Sequence, residues 1–300
     1  MVYYPKFASG SSIYISGSGL ILTSAGTGPL DALSSAVPFM ACSVARQLYG
    51  GYSGPLFRVQ RSSDSTQVDI AASAGVCDTA SLLSFCGSST GNVVKIYDQT
   101  GNGNDLPTSG TGPQICTGGT LTNTIGGKPS VYGGGNYMAS GALATAYPSS
   151  TATICAIVVA HDHGNSNGNN RIFGLRHNGA GNDYTDSDGS ILFYIPSNGT
   201  IESFSASNTY GSKSYTSNQG FVAATRFDGT NATFYLDRSA ASPVSRTTNF
   251  ATSLQATFLN QPGGGQPWNG SASEIIVFSS ISTTDLTAIE TAMSTFFGTP

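Results

Sequence analysis

Short apolar runs separated by turns rich in glycine, serine and asparagine recur through most of this chain. The stretch 93–106 organises the reading. Val93-Val-Lys-Ile-Tyr97 is β-branched and aromatic and predicts a buried strand. Asp98-Gln-Thr-Gly-Asn-Gly-Asn-Asp105 then forms a polar loop in which Gly101 and Gly103 admit tight turns. From Gln114 onward strands dominate. A strand follows the turn at Gly126-Gly127, and 153–160 is apolar throughout, as suits a strand buried on both faces. Segments 191–195 and 201–204 flank Pro196-Ser-Asn-Gly199 as a hairpin. Segments 221–227 and 232–237 do the same across Asp228-Gly229, a pair suited to a tight turn. A further strand covers 273–278.

Helical spacing appears in three places. Leu30, Leu33 and Val37 share a face, and Phe39, Met40, Val44 and Leu48 continue it past Pro38 to Gly50-Gly51, so 29–49 reads as helix. A second, short helix starts at Asp78 as N-cap and ends at Gly87. The third opens on Ser282-Thr-Thr-Asp285, a capping box with Asp in the Glu role, and closes at Gly298. Its Leu286, Ile289, Met293 and Phe296 point to the core, with Glu290 on a solvated face. The expected fold is a mainly β sandwich with short helices near the N-terminus and one C-terminal helix. Residues 1–28, with short strands at 12–16 and 19–23, form an N-terminal arm or edge strands. Residues 29–300 form a single domain without a linker.

Composition narrows the function classes. Only 9% of the 300 residues are charged, against a usual quarter, yet 10% are aromatic, so a core can form. A net charge of −4 with twelve Lys and Arg offers no basic run for nucleic acid. No apolar stretch approaches the ~18 residues of a membrane span. The opening Met-Val-Tyr-Tyr-Pro-Lys-Phe lacks the features of a secretory signal, which favours synthesis in a cytosol. Five cysteines, an odd number without zinc-type spacing, are expected to be reduced.

Candidate chemistry is sparse. Tyr97, Asp98, Gln99, Asn102, Asn104 and Asp105 could bind a sugar or calcium, or bond their own backbone. Trp268 and Asn269 offer a stacking ring beside an amide, unless Trp268 is core. Arg58 and Arg61 are placed to pair with Asp64 or Asp69. His161 and His163 share a strand face but lack a third metal ligand. Asp183, Asp186 and Asp188 are spaced for calcium, but Tyr184 occupies a place that needs oxygen. No cofactor is therefore expected. Asn198, Asn231 and Asn269 lie in glycosylation sequons that matter only in a eukaryotic secretory route.

Two resemblances add to this. Residues 52–64, Phe85-Cys86 and Ile96-Tyr-Asp-Gln-Thr-Gly-Asn-Gly-Asn-Asp-Leu106 resemble the catalytic domain of fungal α-L-arabinofuranosidase B. Gly127-Lys-Pro-Ser-Val131, Phe227-Asp-Gly229, Phe234-Tyr-Leu-Asp237 and Trp268 through Phe278 are similar to laminin-G or concanavalin-like sandwiches. The layout as a whole resembles proteins of tailed phages. The resemblance implies a concanavalin-like jelly roll. It also implies that the family's nucleophile and acid/base carboxyls would fall near His161–Leu175 and in the loop Asn260–Trp268. Neither segment holds a glutamate, and the second holds no carboxylate at all. The expectation is therefore a non-catalytic virion structural protein, a head decoration or fibre component on the particle surface. Its partners would be capsid or tail proteins and host glycans, as a homo-oligomer. The alternatives are an arabinofuranoside-directed glycoside hydrolase and a bacterial cell-surface lectin.

Overall fold

The computed structural model describes residues 11–16, 19–24, 28–108, 110–143, 154–164, 170–177, 191–197, 199–205, 208–245, 253–260 and 265–300. The principal strands are β1 (Val37–Ser43), β2 (Phe57–Arg61), β3 (Gln67–Ile70), β4 (Gly91–Ile96), β5 (Gln114–Thr117), β6 (Lys128–Tyr132) and β7 (Ile154–Asp162). They continue as β8 (Asn170–His177), β9 (Ile191–Ser197), β10 (Thr200–Ser205), β11 (Asn208–Ser214), β12 (Gly220–Phe227), β13 (Asn231–Leu236), β14 (Leu254–Phe258) and β15 (Gly270–Ser280). Two helices occur among the described residues, α1 (Thr79–Cys86) and α2 (Thr283–Phe297).

A large sheet runs β13-β12-β7-β15-β6-β5-β4-β2-β3, with β1 also pairing along β15. A second sheet runs from a short strand, Met138–Ala139, through β14-β8-β9-β10-β11. All pairings are antiparallel, and alternation sorts the side chains of β7 onto two faces. Ile154, Ala156, Val158 and Ala160 join Phe173, Phe193, Ile201 and Phe258 of the second sheet in one core. Cys155, Ile157 and Val159 join Leu286, Ile289, Met293 and Phe297 of α2 in another. The large sheet is thus buried on both faces, which accounts for the uninterrupted apolar run on β7. Ser11–Ser16 and Gly19–Ser24 pair with each other as a separate two-stranded ribbon.

Both short-range helix signals are realised. Asp78 caps α1 by accepting from Ser81 N–H at 3.0 Å, and Gly87, at φ 55°, closes it. Ser282 Oγ accepts from Asp285 N–H at 3.0 Å, and Gly298 closes α2 in the left-handed region. The Asp285 carboxylate turns instead to Ser34 and Ser35, accepting from both backbone amides and both hydroxyls. These donors hold its carboxyl well below the usual range.

The helix expected over 29–49 is corrected to turns followed by β1. A continuous apolar run carries no period of its own, and here the open edge of β15 claims it. Pro38 sits near the start of β1, where a missing N–H is tolerated. Arg58 and Arg61 do pair, with Asp69 and Asp64, but at the surface.

Glu290 is a second correction: it is buried, not solvated, and its Oε1 has no hydrogen-bond partner among the described residues. Burial pushes its carboxyl up to about 8, with Asp237 adding to the rise and Arg238 opposing it. The folded chain then holds a proton that an unfolded chain releases near the ordinary glutamate value. Where the folded state binds more protons, stability falls as pH rises. The loss runs from about pH 4.5 to about pH 8 and is on the order of 5 kcal/mol. Glu290→Gln should therefore raise the melting temperature at pH 8.5 and change it little at pH 5. Parallel melting curves for the two proteins would overturn this account of Glu290.

Candidate functional site

The polar loop 98–105 turns its side chains inward. Asp98 Oδ1 accepts from Ala41 N–H at 2.9 Å and Thr100 N–H at 3.1 Å. Its Oδ2 accepts from Thr100 Oγ1 at 2.7 Å and Asn104 N–H at 3.1 Å. Gln99 accepts from Leu48 N–H and donates to the Arg46 carbonyl. Asn102 and Asn104 both donate to the Phe39 carbonyl. Asp105 accepts from Asp98 N–H and pairs with Lys95, while the Tyr97 hydroxyl donates to Asp69. The loop thus fastens β4 to β1 and to residues 46–48. Trp268 is fully buried, and Asn269 accepts from the Tyr132 hydroxyl.

His161 and His163 lie edge to face with ring centroids 5.0 Å apart, and His163 stacks on Tyr132. Burial, with help from His161, lowers the His163 pKa; the Asp162 charge opposes that. Asp162 points the other way and accepts from the Tyr215 hydroxyl at 2.7 Å. No group of three or more metal-ligating side chains occurs among the described residues. Asp183, Asp186 and Asp188 lie outside them.

The second sheet has a polar outer face. In β10, Ile201 joins the core, and Ser203 Oγ accepts from Thr225 Oγ1 of the large sheet at 2.6 Å. Glu202 between them therefore faces outward and is half-buried. Backbone register carries the same row from Glu202 to Tyr194 of β9 and on to Arg171 of β8. Ser212 of β11 continues it on the other side. Arg176 of β8 stands opposite Gln255 of β14, with Nη2 donating to Oε1 at 2.6 Å. Arg171, Arg176 and Thr257 are buried although they lie on this outer face. Buried guanidinium groups on the same face as a half-buried carboxylate, one of them bonded to an amide, make a face that can hold a hydroxylated ring.

Several other carboxylates hold backbone amides or a buried arginine. Asp31 accepts from Gly28 and Gly50 N–H groups, and Asp228 and Asp237 accept from the N–H groups of Asn231 and Val222. Glu274 Oε1 and Oε2 grip Arg46 at 2.7 and 3.2 Å, with both residues buried. Glu290 lies on the helix side of the large sheet. Glu202 is the outward carboxylate of the second sheet among the described residues. In sequence Glu202 is one residue of the strand segment 201–204, and neither Arg171 nor Arg176 belongs to a motif. The signal was the alternation Ile201-Glu202-Ser203, which assigns a face only once the core side is known.

Residues 30–124 match the family described as "Alpha-L-arabinofuranosidase B, catalytic". The chain is 40% identical over 114 residues to α-L-arabinofuranosidase B of Emericella nidulans, covering 35% of this chain and 22% of that protein. It is 34% identical over 134 residues to the Aspergillus niger protein of that name, covering 42% and 27%. The chain therefore spans less than a third of the length of these curated relatives. An arabinofuranosidase complexed with arabinofuranosyl-α-1,2-xylobiose superposes with a TM-score of 0.64 at 20% identity, covering 85% of this chain and 61% of that one. A mutant of a GH54 α-L-arabinofuranosidase soaked with 4-nitrophenyl α-L-arabinofuranoside gives 0.64 at 19% identity, covering 85% and 62%.

These matches overturn the reading of a non-catalytic head-decoration or fibre protein on a virion surface. The relatives are fungal glycosidases, not capsid components, and the matched family is defined by a catalytic domain. The carboxyl-poor segments 161–175 and 260–268 do not decide the question, because the second sheet brings together side chains from strands far apart in sequence.

Proposed function

We propose that this chain is a glycoside hydrolase directed at α-L-arabinofuranosides, acting from the outer face of the second sheet. The match of residues 30–124 to the arabinofuranosidase B catalytic family carries the reading. The superposition of most of the chain on arabinofuranosidases supports a concanavalin-like jelly roll, the architecture expected from sequence. Cleaving a glycosidic bond requires two carboxyl groups, about 5 Å apart for retention or roughly 6.5–9.5 Å for inversion. Glu202 supplies one of them. For the other we assign Asp183, Asp186 or Asp188, which follow β8 and precede β9 in sequence and lie outside the described residues. Arg171 and Arg176 hold the sugar hydroxyls.

The test is release of nitrophenolate from 4-nitrophenyl α-L-arabinofuranoside. The unaltered chain should turn the substrate over, and Glu202→Gln should slow it by at least about 100-fold with an unchanged melting temperature. Asparagine in place of each of the three aspartates then identifies the second group. A chain that releases no nitrophenolate between pH 3 and 9 would refute the hydrolase. Full activity in Glu202→Gln would refute the role of that residue alone.

A further inference from the structure

The five cysteines are all unbridged and buried, but one pair of sulfurs is in contact. Cys86, the last residue of α1, and Cys116, on β5, bring their Sγ atoms to 2.9 Å across thirty residues of sequence. The backbone leaves room for this contact at one point. A Cβ added at Gly91 of β4 would lie 2.5 Å from Cys86 Sγ and 2.6 Å from Cys116 Sγ. Glycine at that position lets the strand pass beneath both sulfurs. Among the described residues, no contact of this kind joins Cys42, Cys77 or Cys155.

We propose that Cys86 and Cys116 are a redox-active pair that closes to a disulfide, joining the end of α1 to β5. The oxidant is a small-molecule disulfide of the glutathione class. One cysteine thiolate attacks a sulfur of that disulfide and expels one thiolate, leaving a mixed disulfide on the protein. The second cysteine loses its proton, attacks the protein-bound sulfur and expels the second thiolate. Two protein thiols and one small disulfide thereby become one protein disulfide and two small thiols.

Geometry also sets when this happens. Both sulfurs are buried, and burial pushes the Cys116 thiol up to about 12, so the closed structure reacts slowly. Local opening at the end of the eight-residue α1 exposes the pair. The enclosed segment contains β4 and the whole polar loop 98–105. Oxidation therefore braces the part of the chain that matches the arabinofuranosidase family, whatever its activity.

The experiment uses the full chain, reduced and then held in oxidised glutathione, alkylated and digested without reductant. Mass spectrometry should recover peptides containing Cys86 and Cys116 joined, lighter by two hydrogens than the separate peptides. Cys42, Cys77 and Cys155 should be recovered alkylated after denaturation. The oxidised protein should melt about 5 °C or more above the reduced form. In Cys116→Ser, Cys86 should accumulate as the mixed disulfide with glutathione. Recovery of both cysteines as free thiols, a stable glutathione adduct on the unaltered chain, or pairing to a third cysteine would overturn the proposal.

Discussion

Replacing Arg46 by alanine should destabilise the chain by about 3–5 kcal/mol, the cost of leaving a buried charge without its partner. Glu274 sits in β15 between β7 and β1, with no exposure to solvent. Its two oxygens are held by Arg46 Nε and Nη2, and the guanidinium also lies 4.1 Å from the centre of the Phe296 ring. Removing the arginine strands the carboxylate in the middle of the largest sheet. Arg46→Lys keeps the charge but loses the two-pronged grip, so its loss should be intermediate. Replacing both partners with methionine should recover much of the stability, because an apolar pair carries no desolvation cost. Chemical denaturation of the three variants gives the ordering directly. A stability for Arg46→Ala within 1 kcal/mol of the unaltered chain would show that the pair contributes little.

The second large effect is expected at Asp98. Its carboxylate accepts four hydrogen bonds, three of them from backbone amides, Ala41 on β1 and Thr100 and Asn104 in the loop, and one from the Thr100 hydroxyl. Asp98→Ala leaves these donors facing an apolar methyl group. At about 1–3 kcal/mol for each buried donor left unpaired, the expected loss is roughly 3–4 kcal/mol. Thr100→Val removes the hydroxyl's bond to Asp98 and its acceptance from the exposed Asn102 N–H, and should cost about 1–2 kcal/mol. Asp98→Asn presents an amide N–H₂ toward two donors and should fall close to the alanine variant. Hydrogen exchange should also quicken at Ala41 and Asn104 in Asp98→Ala. Unchanged protection at both amides would show that the loop is held by something other than this carboxylate.

How far the sequence was legible depended on whether the signal was local. The N-caps at Asp78 and Ser282 and the closing glycines at Gly87 and Gly298 act within four residues, and both helices stand where those residues place them. The hairpin across Asp228-Gly229 pairs as its turn dictates, from Phe227 with Ala232 onward. Signals that depend on distant partners were not legible. Val37–Ser43 is a strand because β15 has a free edge some 230 residues later. Glu290 looked solvated because a helix shows its faces in sequence but not what covers them. The same holds for the proposed site: Arg171, Arg176 and Glu202 come from strands whose outer side is defined only by the core on the other. The carboxylates and amides of 98–105 stood out in sequence for the opposite reason. Adjacent polar residues are conspicuous, and here they are spent on their own backbone.

The large sheet has a core on each side, one shared with the second sheet and one with α2. It therefore works as a bulkhead between two compartments that can be altered separately. Changes around Glu290, on the α2 side, can widen tolerance to alkali without disturbing the row of Arg171 and Glu202. Conversely, loops bordering the outer face of the second sheet can be exchanged while α2 keeps its seat. Changes to the two sides can proceed in parallel and be combined at the end.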